Sequence, residues 1–94
     1  MGKAKAVLVT TEFRGVFFGY MEQDNAPANV VLKNARNCVQ WDTGTRGFLG
    51  LAENGPGSKC RIGPRVPRLT LYKVTSVTEC TSDAVRRWEA AEWH

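Results

Sequence analysis

The sequence has a single histidine, and it is the last residue, His94. Nucleophilic catalysis by serine or cysteine needs a neighbouring base, which is most often histidine. The three cysteines are widely spaced and form no Cys-x-x-Cys pair, so they do not supply the four ligands of a structural zinc site. The glycine patterns of dinucleotide-binding folds and P-loops are also absent. We therefore expect a protein that is not an enzyme and that holds no metal or cofactor.

Long apolar runs are missing as well. No segment approaches the roughly 20 apolar residues of a membrane-spanning helix. The apolar run near the N-terminus gives way at Thr11 and Glu12, too early for a signal peptide. The pattern favours a soluble, cytoplasmic protein with reduced thiols. Its 94 residues predict one domain, residues 1–94.

Positive charge is concentrated in the middle of the chain. The net charge is +4, and residues 33–73 contain eight basic side chains but only two acidic ones. No acid lies between Glu53 and Glu79, a segment that contains Lys59, Arg61, Arg65 and Arg68. A one-sided basic stretch attracts phosphate groups. The alternative is a solvated surface that keeps the protein in solution.

Alternating apolar and polar residues predict most of the fold. Strands are expected at 4–11, 14–21, 29–35, 38–42, 59–63 and 69–79. A short helix is expected at 46–53, before a Gly-Pro stop signal, and a second helix after a cap at Thr81 or Ser82. The prediction is an α+β domain with five or six mostly antiparallel strands and two short helices, the second C-terminal.

Two places in this pattern are ambiguous. Asn34 to Asn37 can form a tight link between two strands, since asparagine tolerates positive φ, or the strand can continue through with a bulge. Around Lys73 the apolar phase slips, which indicates a bend or a bulge. In the last helix, Trp88 lies on an apolar face with Ala84, Val85 and Ala91, and we expect it in the core or an interface.

The segment from Val30 to Trp41 contains the main candidate binding residues. Arg36 can hold a phosphate through a bidentate fork. Trp41 can stack on a base, and the amides of Asn34 and Asn37 can bind base edges or ribose hydroxyls. Simple core packing and turn formation are the alternatives for these residues. Further stacking and phosphate contacts are expected from Phe17, Arg61, Arg65 and Arg68.

Several segments resemble a family of small tailed-phage accessory proteins over roughly residues 7–90. They are Gly15 to Gly19, Val31 to Arg36, Trp41, Leu51-Ala52 before Gly55, and Glu79-Cys80-Thr81 before a helix. The size and the layout of a sheet with two helices are also similar to those of phage sponge proteins. Such proteins sequester the nucleotide second messengers of bacterial antiviral systems. The resemblance implies a phage protein that acts in the cytoplasm of an infected bacterial host.

The leading hypothesis is therefore an anti-defence protein that binds and sequesters a small nucleotide without cleaving it. The ligand would be a cyclic oligonucleotide or a cyclic ADP-ribose isomer. The large apolar residues also indicate a homo-oligomer. Two alternatives stay open: a nucleic-acid-binding module, and a protein-interaction protein such as a virion component or an inhibitor of a host protein.

Overall fold

The computed structural model of the protein describes residues 5–12, 15–22, 29–40, 47–57 and 60–91. Within them, the predicted α+β class, the mostly antiparallel sheet and the C-terminal second helix are confirmed. The elements in chain order are β1 (Lys5–Thr11), β2 (Gly15–Met21), β3 (Val30–Gln40), α1 (Gly47–Asn54), β4 (Arg61–Ile62), β5 (Val66–Leu71), β6 (Val74–Glu79) and α2 (Ser82–Ala90).

The six strands form one sheet in the order β4-β3-β2-β1-β6, and β5 also pairs with β3. β5 pairs with the first half of β3, from Val30 to Ala35, and β4 pairs with its end. Only Tyr72 and Lys73 connect β5 to β6, which lie at opposite margins of the sheet. Consecutive Cα atoms are 3.8 Å apart, so this link cannot span more than about 11 Å. The sheet therefore curls until its two margins approach each other.

Curling gives the sheet two buried faces, because one lines the inside of the curl and the helices cover the other. Val7, Leu8 and Val9 are consecutive and all fully buried, which is possible only when both faces are covered. The inner core contains Val7, Val9, Met21, Val30, Leu32, Ala35 and Leu71. The outer core, under the helices, contains Leu8, Val16, Phe18, Cys38, Leu51, Ala52, Cys60, Ile62, Ala84 and Trp88.

The central strand β3 is continuous over 11 residues and contains a β-bulge. Its register against β2 shifts by one residue, since Arg36 lies opposite Phe18 whereas Lys33 lies opposite Tyr20. Asn34 has a φ of 51°, in the left-handed region. The prediction of two strands, 29–35 and 38–42, is therefore wrong, and the alternative of one strand with a bulge is correct. Residues 41 and 42 lie outside the described residues.

The bulge changes which side chains of β3 share a face. Leu32 and Ala35 both point into the inner core although they are three residues apart. In a regular strand an odd separation would place them on opposite faces. Because of the bulge at Asn34, Arg36 and Cys38 face the helices, whereas Leu32 faces inwards.

The second helix is positioned by its cap and by one indole. The Thr81 hydroxyl accepts a hydrogen bond from the backbone N–H of Ala84 at 3.1 Å, as expected for an N-cap. The Trp88 indole stacks on Phe18, with ring centroids 5.0 Å apart, and donates to the carbonyl oxygen of Leu51 at 3.1 Å. The predicted apolar face of α2 is confirmed, and Trp88 lies in the core.

Substitution of Asn34 tests the bulge. Asn34→Gly should leave the free energy of unfolding within about 0.5 kcal/mol of its natural value, because glycine adopts positive φ freely. Asn34→Ala should lower it by about 1–2 kcal/mol, since an alanine is strained there. Urea denaturation of both variants measures the difference. Equal stability of the two variants would contradict the left-handed bulge.

Candidate functional site

Arg36 is buried, with 4% of its surface exposed. Its guanidinium donates hydrogen bonds to backbone carbonyl oxygens. Its Nε donates to the carbonyl oxygen of Gly63 at 3.0 Å. Its Nη1 donates to those of Trp88 at 2.8 Å and Ala91 at 2.6 Å. The last carbonyls of a helix lack partners within the helix and attract cations. The structure therefore gives Arg36 a role in holding α2 on the sheet, in place of the predicted phosphate contact.

Burial lowers the pKa of Arg36, and the neighbouring positive charge of Arg65 lowers it further. An arginine nevertheless stays protonated at any physiological pH. The guanidinium is thus a buried cation that donates to the carbonyl oxygen of Gly63 after β4 and to two carbonyl oxygens at the end of α2. Removing it would leave those oxygens without donors.

The other predicted site residues lie on different faces of the sheet. Phe17 and Asn37 are directly opposite each other on β2 and β3, and Phe17 packs against the inner core. Arg68 lies opposite Lys33 on β5. The structure therefore does not bring the predicted set together.

Three further residues of that set lie at the bulge, in β4 and beside α2. Asn34 is exposed at the bulge, and Arg61 is exposed in β4, opposite Gln40. Arg65 forms an ion pair with Glu89 of α2 at 3.0 Å. Trp41 lies outside the described residues.

The described surface does contain a pocket of about 270 Å³ on the helix-bearing side of the sheet. We call it the outer-face pocket, and it is lined by Tyr20, Glu22, Val31, Lys33 and Arg68. Strand pairing explains the grouping, because Tyr20, Lys33 and Arg68 lie side by side across β2, β3 and β5. Val31 lies two residues before Lys33 in β3, and Glu22 lies two residues after Tyr20, directly beyond β2. Residues two apart along a strand share a face.

Two cations meet in the outer-face pocket. Like charges directly opposite each other on neighbouring strands repel, so the pairing of Lys33 with Arg68 opposes folding. Lys33 Nζ lies 2.9 Å from Glu22 Oε1, and this acid offsets one of the two charges. Within the described residues Arg68 has no ion pair. The three charges leave one positive charge in excess beside an aromatic ring.

Tyr20 holds a fixed orientation in the pocket wall. Its ring packs edge-on against Phe18, with centroids 5.5 Å apart and planes at 75°. Burial raises the pKa of Tyr20, and the carboxylate of Glu89, which accepts a hydrogen bond from the phenol, raises it further. Glu89 also pairs with Arg65. The ring is therefore held by the core on one side and by α2 on the other.

The chemistry of this pocket is that of anion binding. A guanidinium and an ammonium can share a phosphate, and Tyr20 and Val31 can contact an apolar or planar group. Among the described residues, no group of three or more His, Cys, Asp or Glu side chains is arranged to hold a metal ion. Neither of the helices described is long and apolar enough to cross a membrane.

Sequence reasoning found Arg68 but missed Tyr20, Glu22, Val31 and Lys33. Lys33 lies within the segment that drew attention, directly before the bulge. Its significance comes from Arg68, which is 35 residues away and becomes its neighbour through the pairing of β3 with β5. A correct prediction of the register between β3 and β5 would have identified the pair Lys33 and Arg68.

The fold and the pocket together define a small α+β protein with a cationic surface site. The chain belongs to the family described as a domain of unknown function, DUF6948, whose profile matches residues 4–88. No curated protein and no solved structure shows a significant match to the chain.

Removal of the Arg36 side chain should destabilise the protein. Arg36→Ala leaves three buried or half-buried carbonyl oxygens without their donor, and we expect a loss of about 3 kcal/mol in the free energy of unfolding. Arg61→Ala, at an exposed position, should change it by less than about 0.5 kcal/mol. Urea denaturation compares them. This expectation differs from the one from sequence, in which Arg36 holds a phosphate.

Proposed function

We propose that this protein binds and sequesters a small nucleotide of the kind used as an immune second messenger, without cleaving it. The observation that carries the proposal is the facing pair Lys33 and Arg68, beside the fixed ring of Tyr20 in the outer-face pocket. The cost of placing two cations opposite each other is explained if an anionic ligand binds between them.

The two cations supply complementary contacts to a phosphate. Arg68 presents a planar fork that binds two phosphate oxygens, and Lys33 supplies a mobile point charge. Arg68 enters this interaction without first releasing an internal partner, because no ion pair holds it within the described residues. Lys33 has three N–H donors, so it can bind the phosphate while it keeps its exposed pair with Glu22.

Tyr20 and Val31 supply the part of the site that recognises a base. Contact between a base and an aromatic side chain contributes about 1–3 kcal/mol and tolerates different bases. The pocket lies below the range of about 300–1,000 Å³ typical of small-molecule sites, so it fits a single base and phosphate unit. A cyclic oligonucleotide would extend beyond it, and a second subunit of a homo-oligomer would cover the remainder.

Binding without cleavage is supported by the kind of side chain in the pocket. The described lining residues offer charge and contact surface. Together with the resemblance to tailed-phage accessory proteins, this supports a protein that lowers the free concentration of a messenger in the cytoplasm of an infected bacterium. Host immune signalling would then be blocked by binding alone.

A panel of ligands tests the proposal directly. The purified protein is mixed with cyclic dinucleotides, cyclic trinucleotides and cyclic ADP-ribose isomers, and complexes are detected by native mass spectrometry. Heat denaturation of a complex should release the ligand unchanged, and the mass of the complex gives the number of subunits. Release of an altered ligand would identify an enzyme. Absence of binding across the panel would contradict the proposal and favour a protein-interaction role.

Salt dependence separates this function from a nucleic-acid-binding module. Affinity for a nucleic-acid strand falls steeply with salt, with a slope set by the number of phosphates contacted. A site that holds one phosphate between two cations should be much less salt-sensitive, because a small nucleotide lacks the dense counterion layer of a nucleic-acid strand. A steep slope, together with affinity that increases with strand length, would identify the protein as a nucleic-acid-binding module.

Replacement of Arg68 should weaken binding while leaving the fold intact. We expect Arg68→Ala to raise the Kd at least tenfold, since a hydrogen bond to a charged group contributes about 1.5–3 kcal/mol. The matched control is Arg87→Ala. Arg87 is also exposed and has no ion pair in the described part of the chain, but it lies beside the end of α1, near Gly55. Isothermal titration calorimetry on both variants measures the effect, and equal affinities would place the site elsewhere.

A further inference from the structure

We propose that Glu22 determines which phosphates the outer-face pocket accepts, and that the site selects monoanionic phosphodiesters against dianionic phosphomonoesters. This inference rests on the function proposed above. It assigns Glu22 as a specificity-determining residue, a role that sequence patterns did not indicate.

The balance of charge in the pocket is the first argument. Lys33 and Arg68 carry two positive charges and Glu22 one negative charge, so one positive charge is in excess. A phosphodiester carries one negative charge and neutralises this excess. A phosphomonoester carries between one and a half and two negative charges at pH 7, by general phosphate chemistry, and exceeds it.

The position of the carboxylate is the second argument. Glu22 Oε1 lies 2.9 Å from Lys33 Nζ, so a phosphate oxygen bound to that ammonium also approaches the carboxylate. The repulsion grows with the charge of the phosphate, because a nearby like charge disfavours an anion. Both side chains of the pair are about half exposed, which screens the effect. We therefore expect a selectivity of several-fold rather than of many orders of magnitude.

Within the described residues, the charged groups beside the pocket leave this balance unchanged. Arg65 and Glu89, which both act on Tyr20, neutralise each other in an ion pair at 3.0 Å. The phenol of Tyr20 is neutral, since burial and Glu89 raise its pKa. Glu22 is thus the lining residue whose charge opposes the ligand.

The experiment compares nucleotides that share a base and differ in phosphate charge. The probes are 3′,5′-cyclic AMP against 5′-AMP, and cyclic di-AMP against linear pApA, which carries a terminal phosphomonoester. Kd values are measured by calorimetry at pH 7.5 for the natural protein, Glu22→Gln and Glu22→Asp. In the natural protein we expect the cyclic member of each pair to bind more tightly. Glu22→Gln should reduce that preference about threefold to tenfold. Glu22→Asp keeps the charge and should retain the preference.

A control variant and the alternative outcomes separate the two proposals. Glu53→Gln removes an exposed acid from α1, outside the pocket, and should leave the preference unchanged. If Glu22→Gln binds the probes but keeps the natural preference, the role of Glu22 is wrong while nucleotide binding stands. If no nucleotide of either pair binds to the natural protein or to Glu22→Gln, the proposed role of Glu22 is overturned, whereas nucleotide sequestration is overturned only if the whole panel of cyclic nucleotides also fails to bind. Thermal denaturation of each variant confirms that it is folded.

Discussion

The cluster of hydrogen bonds around Arg36 is the interaction on which the position of α2 depends. One guanidinium donates to the carbonyl after β4 and to two carbonyls at the end of α2. These oxygens come from segments that are distant in sequence, and without the arginine they would be buried or half-buried acceptors with no donor. The same contact brings α2 close to the outer face of the sheet, where Glu89 reaches Tyr20 and Arg65. Arg36 therefore positions the helix whose Glu89 contacts Tyr20, a residue that lines the outer-face pocket. Arg36 itself is not among the described lining residues.

The bulge at Asn34 makes this arrangement possible. Before the bulge, β3 directs Leu32 inwards and Lys33 outwards, and after it the strand directs Ala35 inwards and Arg36 outwards. If the same sequence formed a regular strand without the bulge, Arg36 would share the face of Leu32 and point into the inner core, where a charge is costly. One residue with positive φ thus places two cations on the same side of the sheet, one to hold the helix and one to face solvent.

Local patterns predicted most of the elements, because alternation, caps and stop signals act over a few residues. The bounds of β1, β2 and α1 and the Thr81 cap of α2 agree closely with those expected from sequence. The candidate site was harder to predict, since Lys33 and Arg68 become neighbours only through the register of β3 with β5. The structural role of Arg36 was hidden for a related reason. Its partners are backbone carbonyls, which every residue possesses and which leave no trace in the sequence.

The pairing of β1 has a consequence for synthesis of the chain on the ribosome. One side of β1 pairs with β2, which follows within a few residues, and the other side pairs with β6, whose Ser76 lies opposite Thr10. That second edge stays open until β6 has been synthesised. Chains in this state expose an unpaired, apolar strand, the kind of surface that joins wrongly to other chains. β6 therefore protects the open edge of β1, and nascent chains should depend on chaperones until β6 has been synthesised.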